Sequence, residues 1–325
     1  MQPAIRMAYE FLPGNRMVFY MQGRHSPREN FISDGRGAHQ STPLIVLVDE
    51  QTASASEIFA GSMQDNDRAL IVGRRSFGKG LVQESIEFRD GSMLRLTIAR
   101  YYMPSGRCVQ KPYTPGDFEE YEMDFINRIK SGELESGDSI KEHGKKYYTR
   151  LGRTVYSENG ITPDVFVPEQ TELLTSYVKE ASMKGLLVKY AYVYTNENRK
   201  ALSELKTWEE VAAWLKKHDV VDKFADYANK NGLPRRNLLI KKSHRLLQTY
   251  LCGYIIDDLL GRDALTRYLN SDDKCVITAL KLMNEGKAFP AAPKKPRQDK
   301  PKNGKERTAQ AGCGVEMQAQ PCFFA

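Results

Sequence analysis

Apolar residues at positions 4, 5, 8, 11 and 12 recur at helical spacing and predict a helix already under way near the first residue. Arg16 to Met21 then reads as a strand, and the polar, glycine-rich stretch 23–41 as an exposed loop. After Pro43 comes the unbroken aliphatic run Leu44-Ile45-Val46-Leu47-Val48, the pattern of a strand buried on both faces of an α/β sheet. Ser56 to Asp65 reads as a helix and Ala69 to Gly73 as a second buried strand, so this spacing predicts a right-handed parallel crossover. Two β-rich runs, 81–88 and 93–102, flank Arg89-Asp90-Gly91-Ser92, where an Asp-Gly step supplies the positive φ that a hairpin turn needs.

The pattern changes twice more. Residues 112–159 are polar with clustered charges and predict an insertion holding one helix near 119–130, closed by a short strand over 164–168. From Thr171 onward apolar positions return to helical spacing, with Pro234, Asp263 and Asp272-Asp273 marking breaks or starts. The expected organisation is a core over 1–168, a helical region over 171–286, and a Pro/Lys/Gln-rich tail over 291–325 too polar to offset its chain entropy by burial.

Composition narrows the function classes. With 41% hydrophobic and 27% charged residues the chain reads as a globular protein of two-domain length. The net charge of +7 is concentrated in 235–245 and in the tail after Lys294, which reads as solvated faces, so no nucleic acid is expected as a partner. Five cysteines, an odd number without CxxC or CxxH spacing, signal neither a disulfide framework nor a zinc site, and Cys108, Cys252 and Cys275 read as buried or half-buried small residues. No run reaches the roughly 18 apolar residues of a membrane helix. The first residues show neither the basic nor the apolar segment of an export signal.

The chemistry concentrates at Thr52-Ala53-Ser54-Ala55-Ser56-Glu57, where the first aliphatic strand gives way to a helix. A side chain at such a turn is exposed at the sheet edge. Twenty-five residues later Gly78-Lys79-Gly80 puts a lysine between two glycines, which let the backbone pass close to another segment, and Gln83 follows four residues on. A serine hydroxyl needs a base in reach, and a lysine can serve when burial or a cationic neighbour lowers its pKa. Ser54 is equally well placed as a simple helix N-cap, and Lys79 as a turn residue in solvent. The histidines offer no competing base: His25 and His39 lie in the polar loop, and His143, His218 and His244 sit among basic residues and are expected to face solvent. The acidic pairs Glu119-Glu120 and Asp272-Asp273 lack metal-ligand spacing.

The stretches TASASEIFAGSMQDNDRALIVGRRSFGKGLVQ and DGSMLRLTIARYYMPSGRCVQ, with Gly160-Ile161-Thr162-Pro163-Asp164 beyond the insertion, resemble the carboxyl-terminal processing peptidases, or tail-specific proteases. The resemblance implies a ClpP/crotonase-like α/β core with Ser54 as nucleophile, Lys79 as general base and Gln83 as its orienting partner. It makes Asp65 structural. It assigns the oxyanion hole to the backbone N–H of Ala55 and to a glycine of an upstream Gly-Gly loop, which in the family ends just before a helix resembling Gln2 to Leu12. The expectation is thus an amino-terminally shortened copy, without PDZ domain or export signal, of a peptidase of the bacterial periplasm or cell envelope. It would cleave unfolded or tail-marked proteins near their carboxyl ends, without a cofactor, and the helical region would pack on the core or form a homo-oligomer interface. The rival expectations are a catalytically inactive fragment acting as an interaction or scaffold module, and an acyl-CoA enzyme of the crotonase class.

Overall fold

The computed structural model describes residues 1–113, 118–140, 144–169 and 171–292. The tail expected to be disordered falls, from residue 293, outside the described residues, as do parts of the insertion at 114–117 and 141–143. The chain divides into two compact units, one formed by 1–131, 138–166 and the residues from 282, the other by 132–137 and 167–281.

The first unit begins with helix α1 (Gln2–Phe11), which buries Ala4, Ile5 and Ala8. Strands β1 (Met17–Gln22) and β2 (Glu29–Ile32) follow, then β3 (Ile45–Val48), helix α2 (Ala55–Asp65) and β4 (Leu70–Gly73). A long hairpin, β5 (Leu81–Glu87) and β6 (Met93–Tyr102), precedes helix α3 (Phe118–Lys130), the short hairpin β7 (Lys146–Tyr148) and β8 (Thr154–Tyr156), and β9 (Val165–Phe166). β2-β1-β6-β5 form an antiparallel sheet, and β3-β4-β9 a parallel one. The crossover read from sequence is present: β3 and β4 pair in parallel from Ile45–Leu70 to Val48–Gly73, with α2 between them. The core gathers Phe19, Ile58, Met63, Ile71, Tyr101, Met103 and Ile161.

Three expectations need correction here. The stretch 23–41 is not wholly loop, because β2 pairs with β1 and stacks Phe31 on Phe19 at 4.4 Å between ring centroids. β3 is not buried on both faces: it is an edge strand, and Leu47 remains 41% exposed, whereas central β4 buries Ile71 and Val72 completely. The insertion holds the expected helix as α3, and in addition the β7–β8 hairpin.

The second unit is helical. Its elements are α4 (Ser176–Met183), α5 (Leu186–Glu197), α6 (Arg199–Leu202), α7 (Trp208–Lys217), α8 (Val220–Lys230), α9 (Asn237–Lys242), α10 (His244–Leu260) and α11 (Arg262–Asp272), with α12 (Lys274–Asn284) at its end. α10 is the central member; it buries Leu247, Leu251, Cys252, Ile255 and Ile256 and packs on α5, α7 and α11. Here His218 departs from its expected solvent position: half-buried, it stacks on Trp214 at 3.8 Å between ring centroids. Cys108 and Cys252 are buried and Cys275 half-buried, as read from sequence.

Candidate active site

The turn after β3 is built by Asp49, whose Oδ1 accepts the N–H of Gln51 at 3.0 Å, the N–H of Thr52 at 2.9 Å and the Thr52 hydroxyl at 2.9 Å. Such a local side-chain loop ends the strand sharply. Two residues later Ser54 has φ 57° and ψ −120°, a left-handed conformation that a residue with a Cβ adopts only at a cost of roughly 1–3 kcal/mol. Ser54 holds the N-cap position of α2, yet it is the Ser54 carbonyl, not the hydroxyl, that accepts the Glu57 N–H at 2.9 Å. The Ser54 hydroxyl takes the capping-box position toward that N–H without making a cap hydrogen bond to it. Ala55 opens α2, so its N–H is one of the helix's first donors, which have no partner within the helix.

Glu57, to which the sequence alone assigns no role, is the organiser of the site. It is completely buried, and its carboxylate accepts four bonds. Oε2 takes the N–H of Ser54 at 2.9 Å and of Lys79 at 2.8 Å; Oε1 takes the Ser76 hydroxyl at 2.5 Å and the Gly78 N–H at 2.7 Å. One side chain thus ties the serine turn to the lysine loop. Burial pushes its carboxyl pKa up, against the pull of the four donors. The signal available in sequence was the Ser-x-x-Glu spacing of a capping box, which Ser54 and Glu57 form here.

The Gly78-Lys79-Gly80 loop is held from its other side as well. Gly80 donates to the Gln110 side chain at 2.8 Å and Gly78 accepts from Lys111 N–H at 2.9 Å. A Cβ on Gly80 would stand 2.8 Å from the Gln110 backbone nitrogen, and Gly78 has φ +86°, so both glycines are required by the close approach expected of them. Tyr101, almost fully buried, donates its hydroxyl to the Lys79 carbonyl and lies 3.1 Å from the Ser54 carbonyl. Burial, with the nearby Glu57 carboxylate, raises the Tyr101 phenol well above its usual value, so the hydroxyl stays protonated as a donor.

Ser54, Ala55, Lys79 and Gln83 line one cavity of about 280 Å³, closed by Ile58, Val82 and Tyr101 among others. The structure therefore brings together every residue singled out in the sequence for the reaction. It does not show them bonded: among the described residues neither the Ser54 hydroxyl nor the Lys79 ammonium has a hydrogen-bond partner. The Gln83 amide faces Thr97 Oγ1 at 3.5 Å rather than Lys79. Hydrogen bonds of this kind are commonly long in an unliganded site and tighten when substrate is bound. A bulge in the β5–β6 ladder between Val82 and Gln83 sets which residues of β5 turn toward the cavity. Among the described residues no histidine lines it. Asp65 lies away from the cavity, ion-paired with Arg107 at 2.8 Å with both side chains buried, and accepts the Ser105 N–H at 3.1 Å.

Residues 1–119 match the model of peptidase family S41. The chain is 42% identical over 111 residues to a carboxyl-terminal-processing protease of Synechocystis, covering 34% of this chain and 26% of that protein. It is 40% identical over 104 residues to the chloroplastic carboxyl-terminal-processing peptidase 1 of Arabidopsis thaliana, covering 32% and 21%. Over 68 residues it is 54% identical to a carboxy-terminal-processing protease of Bartonella bacilliformis, covering 21% and 16%. The chain thus spans about a quarter or less of the length of these relatives. Among solved structures the photosystem II D1 C-terminal processing protease aligns with a TM-score of 0.35 at 25% identity, covering 53% of this chain and 32% of that one. Residues 177–261, within the helical unit, match a family model of unknown function, DUF8443.

Proposed function

We propose that the chain carries the site of a serine endopeptidase with a Ser54–Lys79 dyad, in a core of the ClpP/crotonase-like class. The observation that carries this reading is the strained Ser54 turn sharing a cavity with Lys79, both pinned to one buried carboxylate. Strain of this sort persists where the surroundings over-determine it, and a nucleophile on a sharp strand-to-helix turn is a recurrent reason. Lys79, as the neutral amine, would take the proton as Ser54 Oγ attacks the scissile carbonyl carbon. The Ala55 N–H would stabilise the oxyanion. Collapse would expel the amine fragment, protonated by Lys79, and leave an acyl-Ser54 ester that water hydrolyses with Lys79 again as base. Gln83 would turn from Thr97 to orient Lys79.

The substrates proposed are unfolded or tail-marked proteins cut near their carboxyl ends, in the cell envelope in the bacterial setting. The helical unit is proposed as a homo-oligomer interface. The test is fluorophosphonate labelling with peptide cleavage. Wild type should label at Ser54. Ser54→Ala should not label, and Lys79→Ala should lose at least about 10²-fold in cleavage, the usual worth of a general base. A Lys79→Ala variant with near-normal cleavage would overturn the dyad. The rival reading, an inactive interaction module, draws on the absence of a bond between Ser54 and Lys79 and on the turned Gln83. It predicts no labelling in the wild-type chain.

A further inference from the structure

The β5–β6 hairpin carries polar groups that the dyad leaves unused. In register, Gln83 stands opposite Thr97 and Ser85 opposite Arg95. Alternate residues of a strand share a face, so these four form one polar row, with the Ser85–Arg95 pair about 7 Å farther along the hairpin than Gln83. Gln83, Ser85 and Arg95 all line the cavity that contains Ser54 and Lys79.

The charge balance of that cavity is one-sided. Its lining includes the basic side chains of Lys79 and Arg95, and no carboxylate. Among the described residues Arg95 makes no ion pair and no side-chain hydrogen bond. Glu84, beside Ser85, belongs to the opposite face of β5, and Glu87, the diagonal neighbour of Arg95 on the same face, is exposed and not paired with it. A guanidinium held on a strand, next to a hydroxyl and without an anion of its own, is suited to a carboxylate, which it can grip with two parallel N–H bonds.

We propose that Arg95, with the Ser85 hydroxyl, is a specificity residue that binds a carboxylate of the peptide on the side that leaves. This rests on the peptidase reading of the cavity. A peptide's own α-carboxylate exists only at its carboxyl end, which departs with the amine fragment, so an Arg95 subsite within one short stretch of hairpin from Gln83 suits removal of a tail a few residues long. An acidic side chain near that end offers the same chemistry.

The experiment uses three fluorescent peptides of one sequence: a free acid, its carboxamide, and a carboxamide with glutamate near the end. Binding to the full-length Ser54→Ala chain by fluorescence anisotropy is read first, so that recognition is scored without turnover. The free acid should bind about tenfold more tightly than the carboxamide, the scale of one charge-assisted contact. Arg95→Gln should bring that ratio near one, and Arg95→Lys should recover part of it. Recovery by the glutamate peptide assigns the subsite to acidic side chains as well; no recovery assigns it to the terminal carboxylate. Equal binding of acid and amide, or a preference that survives Arg95→Gln, overturns the proposal. In the wild-type chain, which keeps Ser54, cleavage of the same peptides shows the preference in KM. Absence of cleavage alongside a preserved binding ratio would sink the peptidase reading and leave the Arg95 carboxylate site standing.

Discussion

Glu57→Gln changes one atom of the group that joins the serine turn to the lysine loop. The replacement keeps shape and volume but turns one carboxylate oxygen into an NH₂ donor, in a place where all four neighbours donate. Turned toward Lys79, the new NH₂ would confront the N–H groups of both Ser54 and Lys79. Turned the other way it can donate to Ser76 Oγ, which already accepts the Ile161 N–H at 2.7 Å; the Gly78 N–H is then orphaned and the Ser76 hydroxyl proton must find another acceptor. The second orientation is the cheaper. It leaves one buried N–H unsatisfied, about 1–3 kcal/mol, and removes charge assistance from the bonds that survive, so we expect about 2–4 kcal/mol in all. At roughly 2–4 °C per kcal/mol for a domain of this size, the unfolding transition of the first unit should fall by about 4–16 °C. Differential scanning fluorimetry with circular dichroism measures this. Fluorophosphonate labelling at Ser54 should slow in the same variant, because Gly78 anchors the lysine loop. A transition within about 2 °C of wild type would refute the reasoning, since a neutral amide cannot replace four accepted bonds without loss.

Three further outcomes are expected. Ser54→Gly should raise stability by about 1 kcal/mol in denaturant melts by relieving the positive φ, while abolishing labelling; Ser54→Ala should abolish labelling without that gain. Gly80→Ala should destabilise the first unit in the same melts and slow labelling together, because the added Cβ meets backbone, not a movable side chain. Burial lowers the pKa of Lys111, which sits between Phe77 and Tyr121 and pairs with Asp124 at 3.1 Å. The unfolded chain therefore holds this proton to higher pH than the folded one, so Lys111's contribution to stability rises as pH climbs toward the ordinary lysine value of 10.5. Melts of Lys111→Met and wild type across about pH 8 to 10 should show a flatter slope in the variant; an unchanged slope would remove Lys111 from the account.

The parts of the fold legible in sequence were those whose pattern is local. The β3–α2–β4 crossover announces itself by aliphatic runs around a helix, and the β5–β6 hairpin by its Asp-Gly turn. β2 was hidden because Glu29 and Asn30 give it no apolar alternation; its strand character comes from pairing with β1 and from one stacked ring pair. The exposure of Leu47 was hidden for the opposite reason, since an aliphatic run reads the same at a sheet edge as at its centre. At the candidate site, Ser54, Lys79 and Gln83 were readable as residue types at a spacing. Glu57 was not, because its role depends on Ser76, Gly78 and Lys79 arriving from a loop about twenty residues away.

The Tyr101 hydroxyl has a single proton and faces two carbonyls, those of Ser54 and Lys79. The two backbone segments that carry the proposed reacting groups therefore compete for one donor. A ligand that pulls the lysine loop outward would release that proton to the serine turn, steadying the nucleophile as the cation moves, and withdrawal of the ligand would reverse the exchange. Tyr101 belongs to β6, whose other end carries Arg95, so the proposed seating of a peptide tail at one end and the sharing of this proton at the other would be events on the same strand.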